Sequence, residues 1–235
     1  MKKKSISSYL KDYMMVLVLI ALLAIFGILC PIIVGRPFLS VPNLLNVLGQ
    51  NAYLVIIGVG ITFIMLGGAM DLSTGFLIST VGIAMALINQ NFNFAITLVC
   101  GILLAVLLSG FNGVVYSWLK VFPFIITLAT QYMLNGATYL LSGGLTKTYR
   151  DLSSGFSILG GYNIPLLGGS LKSGVIVMIV MVAIGSFILN KTYFGRNVYA
   201  LGSNPDAVAL SGVSVAKMRI LIFAPACIAL NGGFF

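Results

Sequence analysis

The sequence contains no glutamate and no histidine, and only four aspartates: Asp12, Asp71, Asp151 and Asp206. That inventory excludes most paired-carboxylate chemistry, histidine general-base catalysis and the usual metal sites, so no catalytic residue, cofactor or metal ligand is expected. Cysteine is equally sparse. Cys30, Cys100 and Cys227 are far apart, each inside an apolar run, which reads as three small inert hydrophobes with neither metal spacing nor a disulfide framework. No Gly-x-x-x-x-Gly-Lys-Ser/Thr stretch occurs, so the chain cannot cradle a nucleotide in the P-loop manner. Charge of either sign is scarce: 7% of the 235 residues are charged and 60% are hydrophobic, whereas soluble domains carry about 25% charged residues. This is a membrane-protein composition.

What remains is a series of apolar runs. A helix needs about 20 apolar residues to cross ~30 Å of hydrocarbon. On that ruler spans fall near Met14–Val34, Leu44–Leu66, Leu72–Gln90, Phe94–Leu119, Phe124–Ser142, Ser173–Asn190 and from Met218 onward. The fold class is thus all-α, a polytopic helical bundle of about seven spans, forming one transmembrane domain over residues 1–235. The first run is too long for the apolar core of a signal peptide and lacks a small-residue cleavage site, so it reads as a retained span. The run beginning at Met218 has about 18 residues before Phe235. It reads as an interrupted span, hence a truncated product or a fragment.

The formal net charge of +9 comes from basic residues scattered between the runs, which sets orientation and gives no nucleic-acid footprint. With the N-terminus in the cytoplasm, Lys2, Lys3, Lys4, Lys11, Lys120, Lys191, Arg196, Lys217 and Arg219 fall inside. Only Arg36, Lys147, Arg150 and Lys172 fall outside. The positive-inside rule favours this topology over its inverse. Tyr116 and Trp118 then suit an aromatic belt at the inner surface.

Small residues four apart, at Gly101, Ala105 and Ser109, at Gly75 and Ser79, and at Gly82 and Ala86, predict close helix approaches. Asp71, in Leu66–Thr80 "LGGAMDLSTGFLIST", is the one acid within the embedded run. It reads as an interfacial turn in which the carboxylate caps the next helix, accepting from the amides near Ser73 and Thr74. A broken helix beside a translocation path is the functional reading, and the two are compatible. Asn46, Gln50, Asn51, Thr62, Asn112, Thr127, Thr130, Gln131, Asn135 and Thr138 either line a path for a neutral polar solute or join helices to one another. The candidates for the path are Asp71, Ser73, Thr74, Asn51, Thr127 and Asn135.

One polar stretch stands out, Phe194–Val215 "FGRNVYALGSNPDAVALSGVSV", within a cytoplasmic loop 191–217. Asn204 can cap a helix, Pro205 suits its first position and Asp206 favours the positive end of its dipole. Ala207, Val208, Ala209, Leu210 and Ser211 follow, and Gly212 can end it in the left-handed conformation. Two turns of helix are not stable alone in water. A groove on a partner protein, or the lipid interface, must hold it.

Three stretches carry a family resemblance: "PFLSVPNLLNVLGQNAYLVIIGVGITFIMLGGAMDLSTG", "GFNGVVYSWLKVFPFIITLAT" and "FGRNVYALGSNPDAVALSGVSVAKMR". Over about Phe38–Phe235 the chain resembles the permease subunit of bacterial ABC importers for monosaccharides, the group of the ribose, galactoside and autoinducer-2 permeases. It departs from that pattern at Met70, where isoleucine is usual, at Thr74, where valine is usual, and at Asn135-Gly136, where Arg-Gly is common. The family's C-terminal spans are missing. The resemblance implies a multi-pass bacterial inner-membrane protein that translocates a ribose-like sugar and has no enzymatic activity of its own. It implies a homo- or heterodimer of permeases, two cytoplasmic ATPase subunits and an extracytoplasmic solute-binding protein. Residues 204–212 then become the ATPase-coupling helix. An ion-coupled secondary transporter and an inactive membrane scaffold are the alternatives. The former normally requires more intramembrane acids or histidines than Asp71.

Overall fold

The computed structural model describes residues 13–119, 121–147, 157–166 and 168–225. The lysines at 2–4, 11 and 120, Arg150, Asp12, Asp151, Cys227 and the closing "NGGFF" lie outside these. Among the described residues the architecture is all-α and polytopic, with one small hairpin. The long elements are α1 (Met14–Ile33), α2 (Val41–Leu66), α3 (Thr74–Asn89), α4 (Phe94–Leu119), α5 (Pro123–Ser142) and α6 (Ser173–Lys191). Three short helices follow: α7 (Tyr193–Ser203), α8 (Pro205–Leu210) and α9 (Val215–Leu221).

Among the described residues four helices, α1, α2, α4 and α6, are long and apolar enough to cross a membrane, and α3 is a shorter apolar helix. The segments begin and end where the sequence supplies punctuation. Prolines open α2 and α5 in the first turn, where a missing N–H costs nothing. Gly143, at φ +64°, closes α5 in the left-handed region.

The bundle has two halves. In one, α2 lies along α6. In the other, α3 packs between α4 and α5, around Leu77, Val81, Met85, Ala105 and Leu134. The two halves meet at one end of the bundle, where α9 crosses α4 and α7 abuts α2. There Ile64, Ala69, Val198, Leu201, Met218, Ile222 and Phe223 form a second core.

The small-residue stripe of α4 behaves as its spacing predicts. Gly101, Ala105 and Ser109 are buried on one face with Thr97, Asn112 and Gly113, and the Ser109 hydroxyl donates to the carbonyl of Phe223 at 3.1 Å. Gly75 and Ser79 do not pack in this way. Both are exposed, and nothing stands within 4 Å of a Cβ at Gly75. The reason is phase: Leu77 and Val81, two residues on from each, take the inward face of α3.

The polar stretch 143–172, between α5 and α6, contains a hairpin among its described residues. Strands β1 (Asn163–Leu166) and β2 (Gly169–Lys172) pair antiparallel, Asn163 opposite Lys172, with Gly168 at φ +77° in the turn. A short π-helical turn, Ser157–Gly161, precedes them. β2 lies against the start of α2, with the Lys172 stem over Gly49, so this stretch returns to the bundle end opposite α7–α9.

Candidate functional site

Residues 191–217 fold into more structure than the sequence reading assigned. That reading placed one short helix there, and the structure has three. α7 starts at Thr192, whose side chain accepts from the amide of Gly195 at 3.2 Å. Its inward face is Gly195, Val198 and Leu201, all buried, while Tyr193 and Tyr199 are exposed. Arg196 and Asn197 made this segment look like loop, although Gly195, Val198 and Leu201 at i, i+3 and i+6 carry the helical period.

α8 has the expected caps. The Asn204 side-chain oxygen accepts from the amides of Asp206 at 3.0 Å and Ala207 at 3.2 Å. Pro205 occupies the first turn and Asp206 is exposed there. At the other end Gly212 takes φ +81°, and the amide of Val213 reaches back to the carbonyl of Val208 at 3.3 Å, the bonding of a Schellman cap. Ser211 donates through its hydroxyl to Val208 as well, at 2.8 Å. The caps fix both ends of a six-residue helix that has almost no stability of its own.

The side chains of α8 point in opposite directions. Val208 is 3% exposed and anchors the helix to its own chain, whereas Leu210 is 91% exposed, and Ala207 and Ala209 are exposed beside it. A capped helix thus projects a leucine from the end of the bundle. Between α7 and α9 lies an apolar groove lined by Tyr193, Phe194, Val213, Met218 and Leu221.

The connection from α2 to α3 sits on the same end. The Asp71 carboxylate accepts from the Ser73 amide at 2.8 Å and from the Ser73 hydroxyl at 2.6 Å. It therefore closes a turn ahead of α3 through Ser73, without the Thr74 amide. Ser73 Oγ in turn accepts from Asn112 Nδ2 at 2.8 Å, and Asn112 Oδ1 accepts from Thr130 Oγ1 at 2.7 Å. Ser73, Asn112 and Thr130 are all buried. Thr127, one turn nearer the start of α5, donates to the carbonyl of Met70 at 3.2 Å. A continuous chain of hydrogen bonds thus ties the turn to α4 and α5. The Thr74 hydroxyl is buried next to it without a partner among the described residues.

The six path candidates separate into two groups. Asp71, Ser73, Thr74 and Thr127 come together at this turn. Asn51 and Asn135 do not join them: Asn51 is exposed and bonds back to the carbonyl of Val47 on its own helix at 2.8 Å. Asn135 is exposed on α5 beside Tyr132 and Tyr139, over a depression of about 510 Å³. Thr80 and Thr138 share a 2.7 Å hydrogen bond between α3 and α5, so several of the embedded polar groups join helices. Tyr116 departs from the aromatic belt: it is half-buried beneath the guanidinium of Arg219, 4.9 Å from the ring centre. Trp118 is exposed at the end of α4, as a belt residue would be.

The turn and α7 touch backbone to backbone. Gly68 has φ +79°, and the Cα of Gly202 lies 3.3 Å from where a Cβ on Gly68 would stand. A Cβ on Gly202 would overlap the carbonyl oxygen of Leu66. From the sequence Gly68 stands out only as a glycine flanking Asp71 and Gly202 not at all, because their proximity joins residues far apart in the chain.

The chain is 34% identical to the ribose import permease protein of Haemophilus influenzae over 93% of its own length and 66% of the relative's. It is 32% identical to the fructose import permease protein of Rhizobium meliloti, over 88% of this chain and 58% of that one. It is 30% identical to the galactose/methyl galactoside import permease protein of Escherichia coli, over 100% of this chain and 71% of that one. The chain thus spans only about three fifths to seven tenths of the length of these relatives. No solved structure matches it. Residues 43–229 match the family described as "Branched-chain amino acid transport system / permease component", and the chain belongs to that family of membrane transport permeases.

Proposed function

We propose that this chain is the membrane-spanning permease subunit of an ATP-driven ABC importer, passing a monosaccharide delivered by an extracytoplasmic solute-binding protein. ATP is hydrolysed on separate cytoplasmic subunits. The observation that carries this reading is Leu210, 91% exposed on a helix capped at both ends and anchored through Val208. A short, rigid, apolar projection of this kind suits the groove of a partner protein.

The topology of this proposal has about seven spans, with the N-terminus in the cytoplasm of a bacterium with an inner membrane. α1 to α6 supply six spans and the segment beginning with α9 the seventh. Basic residues support the orientation: Lys191, Arg196, Lys217 and Arg219 lie at the α7–α9 end, Arg36, Lys147 and Lys172 at the other.

The solute path runs along the outward face of α5. This helix has 20 residues but is absent from the four that are apolar enough to span alone, and Tyr132, Asn135 and Tyr139 are exposed on it. A face with an amide and two phenols is expensive against lipid and is suited to a water-filled path between this chain and a second permease copy or a paralogue. Asparagine can bond sugar hydroxyls while tyrosine rings cover the apolar ring face. The family description names branched-chain amino acids, whereas the relatives above are named for ribose, fructose and galactose. The α5 face favours the sugars.

The test is co-purification of the full-length permease with its ATPase, followed by uptake in proteoliposomes. Leu210→Asp should abolish ATPase retention while the protein still inserts. Full ATPase binding by that variant would sink the coupling assignment. Uptake should stop with vanadate and persist with a protonophore. The reverse pattern would establish an ion-coupled transporter instead.

A further inference from the structure

We propose that the backbone contact between Gly68 and Gly202 is the joint through which movement of the α7–α8 unit reaches the rest of the bundle. In this assignment Asn112 is the positioning residue that holds the receiving turn. The proposal rests on the importer reading and names the route by which a push on α8 would travel inward.

Four observations converge on this joint. Asn204 joins α8 directly to α7: its amide donates to the carbonyl of Ala200 in α7 at 2.9 Å while its side chain caps α8, so the two short helices form a unit. The α7 end of that unit bears directly on the α2–α3 turn, with Gly202 against Leu66 and Gly68 and no side chain between them. Backbone against backbone leaves no flexible group to absorb a displacement, and close-packed contacts of this kind transmit shifts instead of damping them.

Beyond the contact, the turn is latched to two other helices. Asp71 holds Ser73, Ser73 accepts from Asn112 on α4, and Asn112 accepts from Thr130 on α5. The carbonyl of Met70 accepts from Thr127 on α5 independently. A displacement of Gly202 therefore arrives at the start of α3, the end of α4 and the first half of α5, the helix whose outward face carries Asn135. Lastly, the Thr74 hydroxyl is buried beside the latch without a partner among the described residues.

The experiment uses full-length permease reconstituted with its ATPase and solute-binding protein. Three quantities are read for each variant: ATPase retained on purification, ATP hydrolysed, and labelled solute imported per ATP. Gly202→Ala and Asn112→Ala should retain the ATPase and hydrolyse ATP while solute per ATP falls at least 10-fold. Leu107→Ala, on an exposed face of α4, is the control and should leave all three unchanged. A purely structural role would lower the amount of assembled complex and leave solute per ATP intact, and that outcome overturns the proposal. If Gly202→Ala does not accumulate, Asn112→Ala, which removes the latch without a clash, decides alone. Wild-type permease that retains no ATPase would defeat the importer reading, which is a different failure from an intact transport ratio in the variants.

Discussion

The amide of Asn112 donates to the hydroxyl of Ser73 at 2.8 Å, joining two buried residues 39 positions apart. Its carbonyl oxygen accepts from Thr130 at 2.7 Å, so one side chain connects α3, α4 and α5. Within an apolar surrounding each of these bonds is expensive to leave unmade. Losing a single partner strands a buried group at a cost of about 1–3 kcal/mol. Asn112→Ala should therefore lower the thermal unfolding midpoint of the purified protein more than Thr130→Val does. The double variant should be less destabilised than the sum of the two, because Asn112→Ala has already removed the bond that Thr130 makes. Strict additivity would mean that the hydroxyl and the amide do not act together.

Asp71 holds its turn as an acceptor, and its charge is not needed for that. Asp71→Asn keeps the Oδ1 that accepts from the Ser73 amide and hydroxyl, so it should leave the unfolding midpoint and solute uptake near wild type. Asp71→Ala removes both bonds and should destabilise by about 1–2 kcal/mol. Loss of uptake in a stable Asp71→Asn protein would instead assign the charge itself a part in transport.

Two glycines on α4 should respond oppositely to alanine. Nothing lies within 4 Å of a Cβ at Gly110, whereas one at Gly113 would stand 3.0 Å from the Cα of Ile220 on α9. Gly110→Ala should be neutral or stabilising by up to about 1 kcal/mol, through helix propensity. Gly113→Ala should force α9 away from α4 and destabilise by about 1–3 kcal/mol, as overpacking does. Denaturation of the two variants side by side checks this, and equal midpoints would count against the close α4–α9 approach.

The caps of α8 can be separated from its contact residue. Asn204→Ala leaves the amides of Asp206 and Ala207 without their acceptor, at a cost of about 1 kcal/mol. That is a large fraction of what holds so short a helix. Hydrogen exchange at Ala207 should speed up, and ATPase retention should weaken without vanishing. Asn204→Ser, which keeps a capping oxygen, should restore most of both. Unchanged exchange in Asn204→Ala would show that Val208 alone secures the helix.

Much of this protein could be read from local sequence because a bilayer imposes simple rules. Length and apolarity located six long helices to within a few residues, from Met14 to Lys191, since an unsatisfied backbone in hydrocarbon leaves helix as the usual solution. The ends of α8 were equally legible. Asn204, Pro205 and Gly212 each act on the backbone within a few residues, so no tertiary partner is needed to interpret them. The hairpin 163–172 was missed because its pairing and its contact with α2 depend on residues outside the stretch. α7 was missed because its polar residues masked a helical period on one face.

Only the tertiary structure could decide which small and polar residues meet. The spacing of Gly75 and Ser79 is the same as that of Gly101 and Ala105, yet the first pair faces outward and the second is buried. Spacing sets which residues share a face, and only the neighbouring helices set which face is covered. In the same way Asp71, Asn112 and Thr130 are three separate polar residues in the sequence, and Gly68 and Gly202 two glycines that nothing local connects. Their convergence at one end of the bundle follows from how α4, α5 and α7 are laid against the α2–α3 turn, a long-range arrangement that no local pattern encodes.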